Sequence, residues 1–402
     1  MARRLLHVLS QRPLRTGSGV TLDALVSRAQ AAGWDQRVVC AEPAGEPVAS
    51  VGGLPADRSS ALGFDSAELP LAIPGMSDVM PYPSRRFSSL TADELARYLA
   101  AWREHLARAV AQHRPEVVHV HHVWLVAALM RDVAPDAWIV DHCHGTGLRQ
   151  LELCPHLADR VRAGCARNDR FLALHDGHRA ELTAALGVAP ERVAVVGAGY
   201  RDDLFAPGSG ATPADPTAIV FAGKLCHAKG LPWLVDAVEA LAQRRPVTLH
   251  VAGGGSGDEA DALRRRLQAS PAVVFHGMLS QPQLAALLRR SAVFALPSMF
   301  EGLPLALIEA AACGCRAVAT ALPGVTAMAS DLGDLLLCVP PPRRVGVDRP
   351  LADDLPAFTA ALDAALDAGR TAGATVAERL QPYSWDAVYQ RVERVWLDAP
   401  PR

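Results

Sequence analysis

The chain lacks the features of several large classes of protein. Only 5% of its 402 residues are aromatic, which leaves few rings on which nucleic-acid bases could stack. Its 40 basic residues nearly balance its 42 acidic residues, and a net charge of −2 gives neither a basic field nor an acidic tail. No apolar run reaches the roughly 18 residues of a membrane-spanning helix. These absences argue against a nucleic-acid-binding protein and against an integral membrane protein.

Targeting and cofactor motifs are also missing. The first apolar run, residues 5–9, is shorter than the core of about 7–15 residues in a signal peptide, so we expect a buried strand and a cytoplasmic protein. There is no internal repeat. No Gly-x-Gly-x-x-Gly sequence is followed by an acid about 20 residues later, which argues against a dinucleotide-dependent dehydrogenase.

The eight cysteines do not form a recognisable metal or disulfide pattern. In a cytoplasmic chain of this length we expect reduced thiols. Three of them lie eleven residues apart in the Cys/His-rich stretch 142–165, but their spacing matches no zinc-ligand pattern such as Cys-x2-Cys. We therefore predict no metal site and treat these cysteines as separate small apolar residues, with a metal centre in 142–165 as the alternative. The residues concerned are His142, Cys143, His144, Cys154, His156 and Cys165.

What the chain does have is ordinary globular composition and length for two or three domains. Strand-like and helix-like segments alternate, stop at a segment rich in proline and glycine, and then start again. This pattern predicts an α/β protein with two Rossmann-like, doubly wound domains, which we expect to face each other across a ligand-binding cleft. The predicted parts are an N-terminal domain (1–205), a linker (206–216), a C-terminal domain (217–381) and a C-terminal helix that crosses back (382–402).

The elements follow from apolar periodicity. We predict strands at 5–9, 36–40, 116–120, 137–141, 170–174, 192–196, 218–222, 247–252, 272–275, 292–296, 315–319 and 334–338. We predict helices at 19–32, 91–113, 123–133, 177–186, 230–243, 258–268, 280–290, 303–313, 352–368 and 384–397. Residues 53–90 show no periodicity and are interpreted as a long irregular insertion.

One anion-binding candidate follows the first strand of the second half. A strand ends at Gly223, Lys224 and Lys229 follow five residues apart, and a helix opens at Gly230. Glycines allow backbone amides to approach an anion, and a helix N-terminus adds partial positive charge. Two lysines here are able to neutralise a diphosphate without a metal ion. The alternative is that both lysines are solvated surface residues near the start of a helix and bind no ligand.

A second candidate is the segment from Ser298 to Glu309. Pro304 suits a first helical turn, which places Glu301 in the preceding loop and Glu309 inside an otherwise apolar helix. An isolated buried acid is costly unless it has a partner, so Glu309 points either to a ligand or to a salt bridge. A glycine-rich turn at 253–257 is a weaker signal, because close packing of a strand against a helix explains it equally well.

Together these segments resemble the retaining glycosyltransferases of family 4, glycosyl transferases group 1, which have the GT-B fold. The resemblance is close over about 218–320 and extends to the rest by architecture. It rests on the Gly-Lys-Leu and Lys-Gly sequences, the triple glycine, Phe275-His-Gly277, and two glutamates that follow Ala295-Leu-Pro297-Ser298. Two positions depart from the family pattern: Lys224 stands where arginine is usual, and Ala198 stands where asparagine is usual.

The resemblance implies roles for matching positions in the second half. Lys224 and Lys229 would neutralise the diphosphate, Glu301 would hold sugar hydroxyls, and Glu309 would accept from the ribose. The remaining donor-binding candidates are glycine-loop and helix-start residues of both halves. They are Gly17, Ser18, Gly19, Gly223, Gly277, Met278, Leu279, Gly302, Leu303, Pro304 and Leu305.

The first half supplies the other candidates. Residues 15–19 resemble the family's glycine loop, with an ordinary strand-to-helix turn as the alternative. The family often has a histidine beside the donor sugar. We assign this position to His144, with His142 as the second choice, so the catalytic candidates are Lys224, Lys229, Glu301 and His144. His119, His121 and His122 are interpreted as rim or core histidines, with contact to the acceptor as the alternative. Arginine forks suit phosphate or carboxylate, so four polar residues are candidates for the acceptor site unless they form a surface network. They are Arg85, Arg86, Arg149 and Gln150.

The resemblance implies a cytoplasmic, metal-independent, retaining glycosyltransferase without a cofactor. Its substrates would be a nucleoside diphosphate sugar, with uridine the expected base, and a small acceptor that is anionic if those arginines bind it. No Ser–His–Asp or Cys–His arrangement indicates a protein nucleophile. A nucleotide-sugar epimerase or hydrolase of the same fold, and a non-catalytic nucleotide-sugar-binding subunit, remain the alternatives. The sequence does not indicate an oligomeric state.

Overall fold

The computed structural model describes residues 3–77, 80–208, 214–345, 349–370 and 374–400. Internal contacts divide the chain into two compact units. The first unit runs to Ala198 and also contains the C-terminal segment from Trp385, and the second unit is Gly199–Ser384. Within the predicted linker 206–216, residues 209–213 lie outside the described residues.

Each unit is built on one main parallel sheet. The seven-stranded sheet of the first unit has the order β3-β2-β1-β6-β7-β8-β9, and the six-stranded sheet of the second has the order β12-β11-β10-β13-β14-β15. The strands described are β1 (Arg4–Leu9), β2 (Asp35–Pro43), β3 (Ser59–Phe64), β4 (Pro74–Gly75), β5 (Arg85–Arg86), β6 (Val117–His121), β7 (Trp138–His142), β8 (Arg170–Ala173), β9 (Val193–Val195), β10 (Asp215–Ala222), β11 (Thr248–Ala252), β12 (Val273–Gly277), β13 (Ser291–Leu296), β14 (Arg316–Thr320), β15 (Leu336–Val339), β16 (Arg344–Val345) and β17 (Arg349–Pro350).

Helices connect the strands, as parallel sheets require. The helices described are α1 (Gly17–Ala31), α2 (Ala92–His113), α3 (Met130–Val133), α4 (Thr146–Leu153), α5 (Pro155–Cys165), α6 (Asp176–Leu186), α7 (Leu231–Ala242), α8 (Asp258–Ala269), α9 (Gln281–Arg290), α10 (Leu305–Ala312), α11 (Pro323–Thr326), α12 (Ala329–Leu332), α13 (Leu355–Ala368), α14 (Ala374–Leu380) and α15 (Trp385–Leu397). The predicted fold class, α/β with two Rossmann-like parallel sheets, is confirmed.

Helix α2 shows how local sequence sets an element. The Thr91 hydroxyl accepts from the Glu94 N–H (3.2 Å), and the Glu94 carboxylate accepts from the Thr91 N–H (2.8 Å), which fixes the first turn. Leu99, Trp102 and Leu106 recur at helical spacing and are buried in the core of the first unit. The apolar stripe of this helix therefore packs inside the protein.

The C-terminal helix α15 belongs to the first unit. Val388, Val392 and Trp396 are buried in one cluster with residues of β1, β6, β7 and α1. The Trp34 indole donates to the Glu393 carboxylate at 2.8 Å, and the Trp138 indole donates to the Val395 carbonyl at 3.1 Å. Helix α15 is thus an integral layer on one face of the first sheet.

Three expectations about elements of the first unit are wrong. Residues 53–90 are not wholly irregular, since β3 lies within them and pairs in parallel with β2 along six residues. The single helix expected at 123–133 is a 3-10 turn at Ala127–Leu129 followed by one α-helical turn. Residues 146–165, for which no element was predicted, form α4 and α5. A break at Cys154 divides residues 146–165 into two helices, so no single apolar period runs through them, and β3 is an edge strand of six residues.

In both units the strand order reverses beside the first strand. The chain moves from β1 through β2 to β3 on one side and returns to β6 on the other, and β10, β11, β12 and β13 repeat this path. Such reversal points leave a crevice at the carboxyl ends of the two central strands, where open α/β sheets bind ligands. The structure therefore marks two loci, after β1 and β6 and after β10 and β13.

Asp141 is a buried acid in the core of the first unit. Its Oδ2 accepts from the Asn168 amide at 2.9 Å, and burial raises the pKa of its carboxyl to about 8 from an ordinary value of 3.8. The folded protein therefore binds a proton that the unfolded chain releases above about pH 4. The contribution of Asp141 to the free energy of unfolding falls as the pH rises from about 4 to about 8.

We expect Asp141→Asn, which is neutral at every pH, to gain stability relative to the wild type as the pH rises from 5 to 8. The gain should be at least about 1 kcal/mol, equivalent to a pKa difference of about one. Urea unfolding at the two pH values measures it. Asp132→Asn is the control, because the Asp132 carboxylate pairs with Arg167 at 2.7 Å and its pKa is lowered. A stability difference for Asp141→Asn that does not change with pH would contradict the prediction.

Candidate functional site

The loops that follow β10 and β13 are held against each other by backbone contact. Gly230 has a φ of +67°, and a Cβ at this position would lie 2.0 Å from the Pro297 carbonyl oxygen. The Met299 N–H donates to the Ala228 carbonyl at 2.8 Å. Only glycine permits this approach, so the Lys229-Gly230 sequence fixes the distance between the two loops.

This contact brings together the side chains that the sequence singled out in the second half. The Lys229 ammonium lies 2.6 Å from Glu301 Oε1, and the Ser298 hydroxyl donates to the same oxygen at 2.5 Å. Burial, and then the charge of Lys229, lower the pKa of Lys224. Two ammonium groups thus share one locus with one buried carboxylate. Such a locus favours an added anion.

Lysine occurs nowhere else in the chain. Of the 40 basic residues only Lys224 and Lys229 are lysine, and the others are arginine. An ammonium group is compact and lacks the planar fork of a guanidinium. The rarity of lysine was a signal available in the sequence that spacing alone did not use. It also makes the site accessible to lysine-specific labelling.

The glycine turn after β11 forms a second side of the locus. A Cβ on Gly253 would lie 1.8 Å from the Gly223 carbonyl oxygen, and the Gly253 N–H donates to the Gly277 carbonyl at 2.8 Å. The carboxyl ends of β10, β11 and β12 therefore touch through backbone alone. Next to them Met278 is 72% exposed and Leu279 is half-buried. The predicted donor-binding loops are adjacent.

Helix α10 begins later than predicted. Its first residue is Leu305, and Pro304 occupies the N-cap position before it, so the expectation that Pro304 lies in the first turn is wrong. Gly302 and Leu303 lie in the loop, half-buried. The first amides of a helix have no partner within it and are available to an anion. Farther along α10, burial raises the pKa of Glu309 to about 7.

The first unit has its own contact across its reversal point. His122, after β6, has its Nε2 2.9 Å from the Ser18 hydroxyl, at the start of α1, and its Nδ1 3.1 Å from the Thr146 hydroxyl, at the start of α4. The Thr16 hydroxyl accepts from the Gly19 N–H at 3.2 Å and caps α1. The predicted glycine loop, Gly17–Gly19, is therefore the capped N-terminus of α1, held by a histidine that sequence analysis assigned to the rim or core.

His144 lies at the edge of a group of stacked imidazoles. It is half-buried, whereas His142 is only 1% exposed. His144 Nε2 lies 3.0 Å from His121 Nδ1. Burial, followed by neighbouring histidines, lowers the pKa of His144 well below its ordinary value, so the ring is neutral at pH 7. A neutral imidazole offers one donor and one acceptor to a ligand.

The acceptor-site candidates are placed in two different parts of the first unit. Arg85 lies 3.3 Å from the Glu94 carboxylate and belongs to a local network at the start of α2, and Arg86 is exposed. Arg149 lies half-buried on α4. Gln150, next to it, is buried and accepts from the Cys154 thiol at 3.5 Å.

The structure also bears on the expectations of reduced cysteines and of no membrane-spanning helix. All eight cysteines are free thiols, and all except Cys338 are buried. In the part of the chain that the structure describes, no helix is both long and apolar enough to cross a membrane.

Two family models match the chain. Residues 16–199 match the glycosyl transferase 4-like domain, and residues 216–346 match the glycosyl transferases group 1 model. The two matches correspond closely to the two units of the structure.

Individual proteins agree with these matches. The chain is 29% identical over 357 residues to the D-inositol 3-phosphate glycosyltransferase of Kribbella flavida, a similarity that covers 79% of this chain and 82% of that protein. Among solved structures it is similar to a sucrose-phosphate synthase from Thermosynechococcus elongatus (TM-score 0.75, 19% identity, 98% of each chain). It is also similar to the trehalose-6-phosphate structure from E. coli bound with UDP-2-fluoro glucose (TM-score 0.70, 15% identity, 99% of this chain and 100% of that chain).

The predicted family and fold are thus confirmed by independent observations. The strand order of the two parallel sheets indicates the same fold as the solved structures do. The two family models identify the family. The chain belongs to the glycosyl transferases group 1 and is a glycosyltransferase of the GT-B fold.

Proposed function

We propose that this glycosyltransferase moves a sugar from a UDP-sugar to a small phosphorylated acceptor, with retention at the anomeric carbon and without a metal ion, in the cytoplasm. The observation that carries the proposal is the joint placement of Lys224, Lys229 and Glu301 beside the start of α10. The names of the similar proteins support the substrate classes. One is a D-inositol 3-phosphate glycosyltransferase, two are named for the phosphorylated disaccharides sucrose phosphate and trehalose 6-phosphate, and one of these structures holds a UDP-sugar.

The second unit would bind the donor. A diphosphate carries negative charge that two ammonium groups and the free amides of a helix start are able to offset. Glu301, already held by Lys229 and Ser298, presents its carboxylate to sugar hydroxyls. Glu309, in α10, accepts from the ribose hydroxyls, and the backbone around Gly277 and Met278 contacts the base.

The first unit would bind the acceptor and position His144 beside the donor sugar. In the reaction that we propose, the bond between the anomeric carbon and the diphosphate oxygen breaks as the acceptor hydroxyl attacks from the same face. The acceptor proton passes to a diphosphate oxygen, and UDP leaves. Lys224 and Lys229 stabilise the charge that develops on the leaving diphosphate, which is the kind of electrostatic assistance that contributes most to many enzymes. No protein nucleophile takes part.

Lys229→Met should weaken UDP binding by about 1.5–3 kcal/mol, the range for a hydrogen bond to a charged group. The variant removes the charge and also leaves Glu301 without its partner at 2.6 Å. Calorimetry measures the affinity, with Arg265→Met, which changes an exposed side chain on α8, as the control. Unchanged affinity in Lys229→Met would remove Lys229 from the diphosphate site.

Labelling gives an independent check of the same site. Reductive methylation with ¹³C-formaldehyde keeps the positive charge and marks only Lys224, Lys229 and the N-terminal amine, because the chain has no other lysine. We expect UDP to shift the NMR signals of both lysines and to leave the amine signal unchanged. Lysine signals that do not respond to UDP would contradict the assignment.

Transfer should persist in excess chelator, because two ammonium groups take the part that a divalent cation plays in metal-dependent transferases. The measurement is product formation from a UDP-sugar and a panel of sugar and polyol phosphates, with and without EDTA. Loss of activity that magnesium or manganese restores would show that the diphosphate needs a metal ion. Consumption of the donor without any acceptor would favour an epimerase or a hydrolase.

Arg149→Ala should raise the KM for the acceptor at least several-fold and leave the KM for the donor unchanged, since it removes binding on one side only. Arg86→Ala is compared with Arg149→Ala, because Arg86 is the exposed arginine of the other group of acceptor-site candidates. Steady-state kinetics with both substrates varied makes the comparison. A rise in the donor KM instead would exclude Arg149 from the acceptor site.

A further inference from the structure

The first unit contains a group of histidines, of which the proposed transfer reaction uses only His144. Five of them lie on or just after β1, β6 and β7, where His7 is in register with His119, and His121 with His142. Alternate residues of a strand share a face, so His119 and His121 point the same way, as do His142 and His144. The rings of His119, His121, His142 and His144 are nearly parallel, with centroids 4.3–5.7 Å apart. The His7 ring lies beside that of His119 and is tilted by 47°. We call His7, His119, His121, His142 and His144 the histidine stack.

The stack leaves polar atoms without partners in the protein. Within the described residues, neither ring nitrogen of His119 or of His142 has a hydrogen-bond partner, nor does Nε2 of His121. All three side chains are almost completely buried. Burial of an imidazole without a partner costs free energy, because each neutral ring gives up one donor and one acceptor interaction with water. These buried nitrogens are therefore available to a ligand.

Three members of the stack bring one ring nitrogen each close together. One nitrogen each of His121, His142 and His144 lies within 4.8 Å of the other two, and His121 Nδ1 and His144 Nε2 are 3.0 Å apart. Nitrogens bound to one zinc ion at about 2.0–2.1 Å in tetrahedral geometry lie roughly 3.3 Å from each other. The His121 and His144 nitrogens, 3.0 Å apart, are about 0.3 Å closer than this spacing, and the His142 nitrogen lies within 4.8 Å of both.

The chemistry of the three groups selects the class of ion. Each offers an imidazole nitrogen, and none offers a carboxylate, which disfavours magnesium and calcium. Borderline divalent ions such as Zn²⁺ prefer this ligand set.

We propose that His121, His142 and His144 form a binding site for a single divalent transition-metal ion of the Zn²⁺ type. His144 is the half-buried member, so the fourth coordination position opens on its side, to water or to a small anion. A second possible group, His7, His119 and His121, shares His121 and is buried throughout, which leaves it without an open position. The site at His144 is therefore the one that an ion reaches.

The site has a consequence for the reaction that rests on the proposed function. An ion bound to His144 Nε2 takes the lone pair that the ring would otherwise offer beside the donor sugar. Zn²⁺ should therefore inhibit transfer reversibly, and a chelator should restore it. Binding of the ion itself does not depend on that proposed role, so the two claims fail separately.

The test uses Co²⁺ as a spectroscopic probe on the metal-stripped full-length protein. We expect one equivalent of Co²⁺ to give the intense visible absorption of a four-coordinate ion, and Zn²⁺ to displace it. His144→Gln, at the half-buried position, should bind Co²⁺ at least tenfold more weakly. The control is His250→Gln, which breaks a histidine pair of the second unit, His250 Nδ1 and His276 Nε2, 3.0 Å apart. It should bind as the wild type does.

Three results would overturn the proposal. They are the absence of four-coordinate absorption in the wild type at millimolar Co²⁺, equal affinity in His144→Gln, and loss of binding in His250→Gln. His142→Leu tests the buried ligand, with circular dichroism as the check of folding; if it does not fold, the wild-type spectrum and His144→Gln decide. Metal binding without inhibition by Zn²⁺ would sustain the site and remove His144 from the donor-sugar contact.

Discussion

Close backbone contact at the carboxyl end of the second sheet is the constraint on which the donor locus depends. Gly230 lies against the Pro297 carbonyl, and Gly253 lies against the Gly223 carbonyl, at distances that leave no room for a side chain. These contacts place the loops after β10, β11 and β13 side by side. The Lys229–Glu301 pair forms across one of them at 2.6 Å. A rigid backbone is needed to hold two charged side chains at a fixed distance on short loops.

The first unit reaches a comparable arrangement with side chains in place of glycines. There His122 lies between the hydroxyls of Ser18 and Thr146 and so connects the loop after β6 to the starts of α1 and α4. In both units, therefore, contacts between neighbouring loops stabilise the place where the strand order reverses. Ligands bind at such points because two neighbouring loops diverge there. The two units differ in what they present: cations and amides in the second, imidazoles in the first.

Buried titratable groups set the electrostatic character of both loci. Burial raises the pKa of Glu309 and lowers those of Lys224 and His144, so each is shifted toward its neutral form. Groups of this kind are sensitive to an added charge, because little solvent screens them. An arriving diphosphate would shift Lys224 back toward its charged form. The same sensitivity makes the histidine stack responsive to a cation.

The sequence by itself determined the alternation of strands and helices, the family, and the lysines and glutamates of the donor locus, because period and spacing are local properties of the chain. It did not reveal β3, which is an edge strand, or α4 and α5, because a break at Cys154 interrupts the apolar period between these two helices. Only the tertiary structure decided that His121 and His144 meet, since His121 ends β6, His144 lies two residues after the end of β7, and the parallel register of these strands makes them neighbours. It likewise decided that Arg85 pairs with Glu94 while Arg149 lies on α4. Contacts between distant segments depend on how sheets and helices pack, and no periodicity along the chain encodes them.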